Sequence, residues 1–203
     1  MTDPTTHARP AVDPITFFLE ERDRARAAGE PWDAASAALA TLDDAGGPSV
    51  RFVLVKHASA EGLWFFTNRE SDKGRQLARD PRAALAFHFD KIGTQFRFEG
   101  PVTPVGDEQS DTYFRERPRI SQLGAWASIQ SRPLSSRAAL EERLHEVEQR
   151  YEGVEVPRPP HWGGYQLAPR VVEHWVEGAF RLHDRLRYTR TPDGGWSVER
   201  LFP

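Results

Sequence analysis

Apolar and polar positions along the chain form two successive patterns. Between Asp13 and Gly29, apolar residues recur on one side of a helix, and Asp13 followed by Pro14 is typical of a helix start. Residues 1–12 are polar, and we expect a flexible tail there. From residue 37 onward, short apolar runs alternate with turn-forming residues. These runs predict five strands, at 37–42, 50–57, 63–67, 83–89 and 95–102. The series indicates an antiparallel meander or Greek key, most economically closed as a small barrel.

The remaining chain combines helices with closing strands. A short helix is predicted at 72–79 with Ser71 as its N-cap, and residues 107–127 are helical in pieces. An amphipathic pattern predicts a further helix at 135–151. Three closing strands are predicted at 164–176, 179–190 and 196–201. The fold class is therefore mainly β with flanking helices, and we expect one domain over residues 13–203.

The segment from Arg181 to Arg185 carries the clearest chemical pattern. In an extended strand Arg181, His183 and Arg185 share one face, because alternate residues point the same way. Two guanidinium groups and an imidazole on one face suit an anionic aromatic ligand. The alternative is an exposed strand edge whose charges keep it soluble.

Composition narrows the range of functions. The net charge of −3 argues against general binding to nucleic acid or to an anionic membrane, so any anion site must be local. With no cysteine there is no thiol nucleophile or thiolate metal site, and redox chemistry requires a borrowed cofactor. We predict no metal site. No apolar run approaches ~20 residues, and no signal-type segment opens the chain, so we expect a cytoplasmic protein.

Six motifs, in order along the chain, resemble those of the pyridoxine/pyridoxamine 5′-phosphate oxidase family. They are RFVLVK at 51–56, FFTNRESDKG at 65–74, TQFRFEG at 94–100, YFRERPRISQLGAWASIQS at 113–131, WGGY at 162–165 and RLHDR at 181–185. The resemblance covers nearly everything from residue 34 to residue 203. It implies an FMN-binding split β-barrel that acts as a homodimer, with two flavins held between the subunits.

Two sets of residues are candidates for holding the cofactor. Arg51 and Lys73, with Thr67 and the helix start at Ser71, predict one phosphate site, since a helix N-terminus with nearby cations binds anions. The resemblance identifies that anion as the FMN phosphate. It also implies cofactor contacts from Phe66 and Gln95, and from the partner subunit through Gln130, Ser131, Trp175 and Arg185. The alternatives are a solvent-facing Gln95 and a Trp175 that only packs in the core.

A second anion site is predicted for the substrate. The resemblance implies that Lys56, Tyr113, Arg117 and Ser121 grip a substrate phosphate. The last three follow one another at i+4 spacing, so in a helix they form one stripe. The alternative is a solvated helix face. Arg181 and His183 resemble the pair that lies against the substrate's pyridine ring, and we assign them the catalytic roles.

Several positions depart from the family pattern. Thr94 and Asp72 stand where the family commonly has arginine, which should weaken FMN phosphate binding unless Arg69 compensates. Trp175-Val176-Glu177 replaces the usual Trp-Gln-Gly. The N-terminal Arg and Tyr that close over substrate in some members have no counterpart in residues 1–12.

The resemblance implies FMN-dependent oxidation of pyridoxamine or pyridoxine 5′-phosphate to pyridoxal 5′-phosphate, with dioxygen as acceptor and hydrogen peroxide as product. Two alternatives stay open: a related flavin oxidase of secondary metabolism, of the phenazine-pathway type, and a non-catalytic flavin- or pyridoxal phosphate-binding protein. Amine and alcohol substrates both stay open as well, as does a second pyridoxal phosphate site.

Overall fold

The structure, a computed structural model, describes residues 13–203, so the tail predicted at 1–12 lies outside the described residues. Within this range nine strands form the framework: β1 Ser36–Leu42, β2 Pro48–Ser59, β3 Gly62–Asn68, β4 Arg82–Phe89, β5 Thr94–Pro104, β6 Trp162–Leu167, β7 Val171–Val176, β8 Asp184–Arg190 and β9 Trp196–Leu201. Five α-helices accompany them: α1 Pro14–Ala27, α2 Asp72–Arg79, α3 Asp107–Glu116, α4 Arg119–Ala127 and α5 Arg137–Arg150. None of these helices is long and apolar enough to cross a membrane.

The strands form one antiparallel sheet in the order β4-β1-β2-β3-β6-β5-β7-β8-β9, and an additional β4–β5 pairing closes the first six into a barrel. Strand β5 both closes the barrel and extends the sheet beyond it. One side pairs with β4, while the other pairs first with β7 at 94–99 and then with β6 at 102–104. The barrel therefore splits at β5, and β7, β8 and β9 continue as an appended sheet. The predicted split-barrel fold is confirmed.

The barrel core is aromatic and is covered by α1. Asp13 caps this helix by accepting hydrogen bonds from the backbone N–H groups of Ile15 and Thr16. Phe18 is fully buried, and its ring centroid lies 4.7 Å from that of Phe87 and 4.9 Å from that of Phe98. Burying such a ring stabilises the fold by roughly 1.5–3 kcal/mol, which fixes α1 against the barrel.

A second cluster joins α3, α4 and α5 to the start of β6. Its buried members are Phe114, Leu123, Tyr151, Val156 and Trp162. Arg158 strengthens this junction because its guanidinium pairs with Asp107 and Asp111 of α3 and donates to the Trp162 carbonyl at 2.7 Å. The helices that carry several predicted site residues are thereby fixed to the barrel.

Two details of the predicted secondary structure are wrong. The strand predicted at 164–176 is two strands, β6 and β7, because Pro169 lies between them and cannot donate a ladder hydrogen bond. The strand predicted at 179–190 begins only at Asp184, since residues Ala179–Arg181 form a 3₁₀ turn. The helix predicted at 135–151 is confirmed as α5, from Arg137 to Arg150, with Ser136 and Tyr151 as its caps. The helix predicted at 72–79, capped by Ser71, is confirmed.

Candidate active site

Lys73 lies buried in the first turn of α2 and points toward hydroxyl groups. Its Nζ is 3.4 Å from the Thr67 Oγ1 and 3.3 Å from the Ser71 Oγ. Gly74 allows this turn to lie close to the preceding loop, because a Cβ at that position would be 2.1 Å from the Arg69 carbonyl oxygen. Burial lowers the pKa of Lys73, and the neighbouring charge of Arg51 lowers it further.

Arg51 brings a second cation to the same place from β2. Its guanidinium donates to the Ser49 hydroxyl at 2.6 Å and to the Gln76 side-chain oxygen at 2.9 Å, and it also contacts Thr41. Burial lowers its pKa as well. Among the described residues neither Arg51 nor Lys73 forms a salt bridge. Two partly desolvated cations with neutral partners at a helix N-terminus suit a dianionic phosphate such as that of FMN. The donor set therefore fits that group.

The departures from the family pattern have local explanations. Asp72 forms an ion pair with Arg75, so its charge is balanced within α2. Arg69 donates from Nη2 to the Val105 carbonyl at 3.2 Å and lies over Gly163, while its Nε is buried without a hydrogen-bond partner among the described residues. Thr94 is buried, and its hydroxyl has no hydrogen-bond partner among the described residues.

Gln95, Trp175 and Arg185 lie side by side across β5, β7 and β8. The register pairs Gln95 with Trp175 and Trp175 with Arg185, so the three side chains share one face of the sheet. They line a cleft of about 250 Å³. Gln95 is exposed in the single chain, and Trp175 is half-buried rather than part of the core. The cleft also contains Glu173, which the sequence reasoning missed because nothing in its local pattern distinguishes it from a surface glutamate.

The three other predicted cofactor residues are distributed around Thr67. Gln130 accepts a hydrogen bond from the Thr67 hydroxyl at 3.2 Å within the same chain. Ser131 is exposed and has a left-handed backbone with φ 69°. Phe66 stacks on Tyr113 with ring centroids 4.1 Å apart, which connects the cofactor residues to those predicted for the substrate.

The predicted helical stripe of Tyr113, Arg117 and Ser121 is wrong. Helix α3 ends at Glu116, and Arg117 is extended, with φ −71° and ψ 146°. The residue before a proline disfavours helical geometry, and Pro118 follows Arg117. Ser121 belongs to the next helix, α4. Pro118 was visible in the sequence as a signal that the helix ends, but the i+4 spacing of the three residues was given more weight.

Arg117 nevertheless stays close to Tyr113. Its guanidinium lies 4.8 Å from the ring centroid of Trp162, and burial lowers its pKa. Its Nη1 is buried without a hydrogen-bond partner among the described residues. Burial raises the pKa of Tyr113, which keeps the phenol protonated as a donor, while the charge of Arg117 opposes that shift. A buried donor of this kind suits an anionic ligand.

Lys56 reaches the neighbourhood of Tyr113 through a β-bulge. Val55 pairs with Phe65 and His57 with Trp64, so Lys56 is the extra residue between consecutive pairs. Lys56, His57 and Tyr113 line one cleft of about 410 Å³, whereas Arg117 and Ser121 do not line it. The sequence reasoning missed His57, since a bulge leaves no mark in the sequence.

Arg181, His183 and Arg185 do not share a strand face as predicted. Only Arg185 lies within β8, while Phe180 and Arg181 have left-handed φ values of 57° and 65°. Gly178 permits the tight turn, because a Cβ there would lie 1.9 Å from the Leu182 carbonyl oxygen. Arg181 is exposed in the single chain.

His183 is fixed by two contacts. Its Nδ1 accepts a hydrogen bond from the Gly178 backbone N–H at 3.2 Å, and its ring centroid is 4.5 Å from that of Trp175. With Nδ1 accepting, the neutral imidazole carries its proton on Nε2. His183 therefore presents a hydrogen-bond donor beside the cleft that contains Gln95.

Comparison with known proteins gives the same family across the chain. The family model described as pyridoxamine 5′-phosphate oxidase matches residues 9–151, and the one described as the pyridoxine 5′-phosphate oxidase C-terminal dimerisation region matches residues 162–203. A pyridoxine/pyridoxamine 5′-phosphate oxidase of Anaeromyxobacter dehalogenans is 56% identical over 95% of this chain and 96% of that protein.

Two solved structures share the fold. PhzG from Burkholderia lata 383, in complex with tetrahydrophenazine-1-carboxylic acid, is 31% identical with a TM-score of 0.89, over 96% of this chain and 94% of that one. A pyridoxamine 5′-phosphate oxidase-related, FMN-binding protein of Nostoc punctiforme, 19% identical, has a TM-score of 0.76 over 95% of this chain and 100% of that one. The family models and the high identity over nearly the full length agree with the split barrel: the chain belongs to the pyridoxamine 5′-phosphate oxidase family of oxidoreductases.

Proposed function

We propose that this protein is an FMN-dependent oxidase that converts pyridoxamine or pyridoxine 5′-phosphate to pyridoxal 5′-phosphate, with dioxygen as electron acceptor and hydrogen peroxide as product. The observation that carries the proposal is the presence of two separate cation sites that form no salt bridge within residues 13–203. One is the half-buried Arg51 with the buried Lys73, and the other is Arg117, whose Nη1 has no hydrogen-bond partner among the described residues. Two such sites match one phosphorylated cofactor and one phosphorylated substrate.

In this proposal the cofactor phosphate is held by Arg51, Lys73, Thr67 and the Ser71 helix start. Gln95 contacts the ring system from the same subunit, Trp175 and Arg185 contact it from the partner subunit, and Phe66 lies beside it. Bound FMN supplies the hydride-accepting chemistry. Gln130 and Ser131 complete the cofactor site, and a homodimer brings the two halves together.

The substrate residues divide into binding and chemistry. Lys56, Tyr113, Arg117 and Ser121 hold the phosphate ester. Arg181 stabilises negative charge at the reacting end of the pyridine ring. His183 donates a hydrogen bond from Nε2, because its Nδ1 is occupied by the Gly178 N–H.

A second subunit explains the exposed apolar side chains of the single chain. Phe180 and Phe202 are each 94% exposed, and Phe52 on β2 is 77% exposed. Large apolar groups left in water indicate an interaction surface. A homodimer that covers them also limits solvent access to Arg181.

The likeness to PhzG supports a second candidate, oxidation of an unphosphorylated tricyclic acid of the phenazine type. The two candidates differ in whether the substrate carries a phosphate. Arg117 and Lys56 favour the phosphate ester because charge-assisted contacts contribute ~1.5–3 kcal/mol each.

The experiment is anaerobic mixing of the FMN-loaded protein with pyridoxamine 5′-phosphate, followed by readmission of air. We expect the flavin absorbance near its visible maximum to bleach and then return, with pyridoxal 5′-phosphate and hydrogen peroxide formed. Unphosphorylated pyridoxine should bind orders of magnitude more weakly. Equal turnover of both would favour the phenazine-type alternative, and no bleaching with either would contradict an oxidase.

A further inference from the structure

Glu173 is a buried carboxylate in the middle of β7 to which the proposed function gives no role. Its side chain is only 7% exposed. One carboxylate oxygen, Oε1, accepts from Arg185 Nε at 3.0 Å and from Arg185 Nη2 at 2.7 Å. The other oxygen, Oε2, accepts from Arg97 Nη2 at 2.8 Å. Both oxygens are therefore engaged by guanidinium groups, which fixes the carboxylate between β5 and β8.

This arrangement leaves Arg185 little freedom. Its Nε and Nη2 are bound to Glu173, and its Nη1 donates to the Phe202 carbonyl at 3.0 Å. A free arginine side chain samples many rotamers, and ordering it on binding carries an entropic cost. Here the guanidinium plane is already set in the cleft that it shares with Gln95 and Trp175.

We infer that Glu173 is a positioning residue that holds Arg185 in the orientation in which it meets the flavin ring. The inference rests on the proposed function, because the cofactor role of Arg185 does. Glu173 acts through Arg185 and touches no reacting atom. Arg97, the other guanidinium bound to Glu173, holds the Oε2 oxygen of the same carboxylate.

Simple electrostatics predicts the opposite effect, which makes the inference testable. A carboxylate near an anionic ligand repels it, so removing that charge should strengthen FMN binding if charge alone matters. If Glu173 instead orders Arg185, removing it should weaken binding. The sign of the change separates the two explanations.

The test is titration of the apoprotein with FMN, with affinity taken from quenching of the flavin fluorescence. We expect Glu173→Gln to weaken binding about tenfold, the scale of one charge-assisted contact. Glu99→Gln is the matched control, since Glu99 also pairs with Arg97, at 3.0 Å, but does not contact Arg185. Its affinity should remain that of the wild type.

The decisive comparison is made in the Arg185→Ala background. There Glu173→Gln should cause no further loss, because the residue through which it acts is gone. An equal loss in both backgrounds, an unchanged affinity, or tighter binding in Glu173→Gln alone overturns the inference.

Thermal melting of each apo variant shows whether it folds. If Glu173→Gln does not melt cooperatively, Glu173→Asp replaces it, because the shorter side chain keeps the buried charge but withdraws it from Arg185. A smaller loss is then expected, and it must again vanish in the Arg185→Ala background. A wild-type protein that binds no FMN would remove the proposed function itself, whereas normal wild-type binding with no effect of either Glu173 variant removes only this inference.

Discussion

The proposed cofactor phosphate site at Arg51, Thr67, Ser71 and Lys73, here called the Lys73 pocket, differs in construction from the loop at 177–183. The pocket is proposed to bind the cofactor, whereas the loop carries the proposed catalytic residue Arg181. Lys73 and Arg51 are held by regular elements, α2 and β2, and their charges are withdrawn from water. The loop has exposed side chains and two consecutive left-handed residues, Phe180 and Arg181. The cost in the pocket is therefore the desolvation of charged groups, and the cost in the loop is the steric strain of left-handed backbone.

Each region lowers the stability of the free protein for a different reason. Partly desolvated cations without a direct ion pair are unfavourable until an anion binds, although the nearby Asp72 offsets part of that cost. Left-handed non-glycine residues cost of order 1–3 kcal/mol each, and ligand binding at the Lys73 pocket does not remove that cost. A bound anion should therefore relieve the desolvation cost of the cations. The strain of the left-handed residues should be relieved only by substituting those residues.

The largest expected effect concerns Arg181. Arg181→Ala should lower the rate of flavin reduction by pyridoxamine 5′-phosphate roughly 10²–10³-fold, because a donor that stabilises developing charge is lost. FMN affinity should not change, since Arg181 lies outside the cleft of Gln95, Trp175 and Arg185. Stopped-flow absorbance measures the rate, and fluorescence titration measures the affinity.

Arg187→Ala is the control for this change. Arg187 lies on β8 and forms an exposed pair with Glu199, so its removal should alter neither quantity appreciably. A similar fall in rate for both variants would mean that the appended sheet, rather than the guanidinium of Arg181, is responsible.

The next effect concerns Lys73. Lys73→Met should weaken FMN binding about 10–100-fold through loss of a charge-assisted contact. The apoprotein should melt at the same temperature or higher, because a partly desolvated cation next to Arg51 is removed. Calorimetry with and without FMN measures both outcomes.

Lys91→Met provides the matched substitution at an exposed lysine. It should change neither the melting temperature nor the FMN affinity. Destabilisation of the apoprotein by Lys73→Met would show that the cation is already compensated, and the contrast with the loop would then disappear.

The two regions also differ in how far the sequence predicts them. Helix α2 and its cap follow from Ser71 and the residues after it, since N-capping is local chemistry that a short pattern records. The left-handed turn at Phe180 and Arg181 has no such signal, because neither residue is glycine, and only Gly178 marks the tight approach. The strand face predicted for the RLHDR segment failed for this reason.

Contacts between residues distant in the sequence were the other features that the sequence pattern did not predict. The strand pattern predicted the barrel because alternation reports which face is buried. It could not predict that Glu173 joins Arg97 to Arg185, since those partners are brought together only by the β5–β7–β8 register. The Lys56 bulge was equally hidden, because it depends on the pairing of β2 with β3.

A smaller effect separates strain from side-chain chemistry in the loop. Arg181→Gly and Arg181→Ala both remove the guanidinium, but only glycine adopts φ 65° without steric cost. The glycine variant should be more stable than the alanine variant by about 1 kcal/mol, although both lose activity alike. Chemical denaturation compares their free energies of unfolding. Equal stability would mean that the loop relaxes when Arg181 is replaced.

The smallest effect is a dependence on pH. Burial and Arg51 lower the pKa of Lys73 below its ordinary 10.5 in the folded protein. Below the lowered pKa both the folded and the unfolded chain hold this proton, so the full cost of the buried charge is present. As the pH rises through the interval between the lowered pKa and 10.5, the folded apoprotein releases the proton while the unfolded chain retains it. The unfolded state then binds more protons, and the free energy of unfolding increases with pH.

Comparison with Lys73→Met isolates this contribution. Urea unfolding of the two apoproteins between neutral pH and pH 10 should show the wild type gaining stability relative to the variant. The raised pKa values of Tyr113, Tyr165 and Tyr188 act in the opposite direction at the alkaline end, but they are common to both proteins and cancel in the difference. Bound FMN should abolish the gain, because its phosphate favours the charged lysine. If the free energy of unfolding changed with pH in the same way for both apoproteins, Lys73 would be in contact with water. The proposed desolvation cost of the Lys73 pocket would then be wrong.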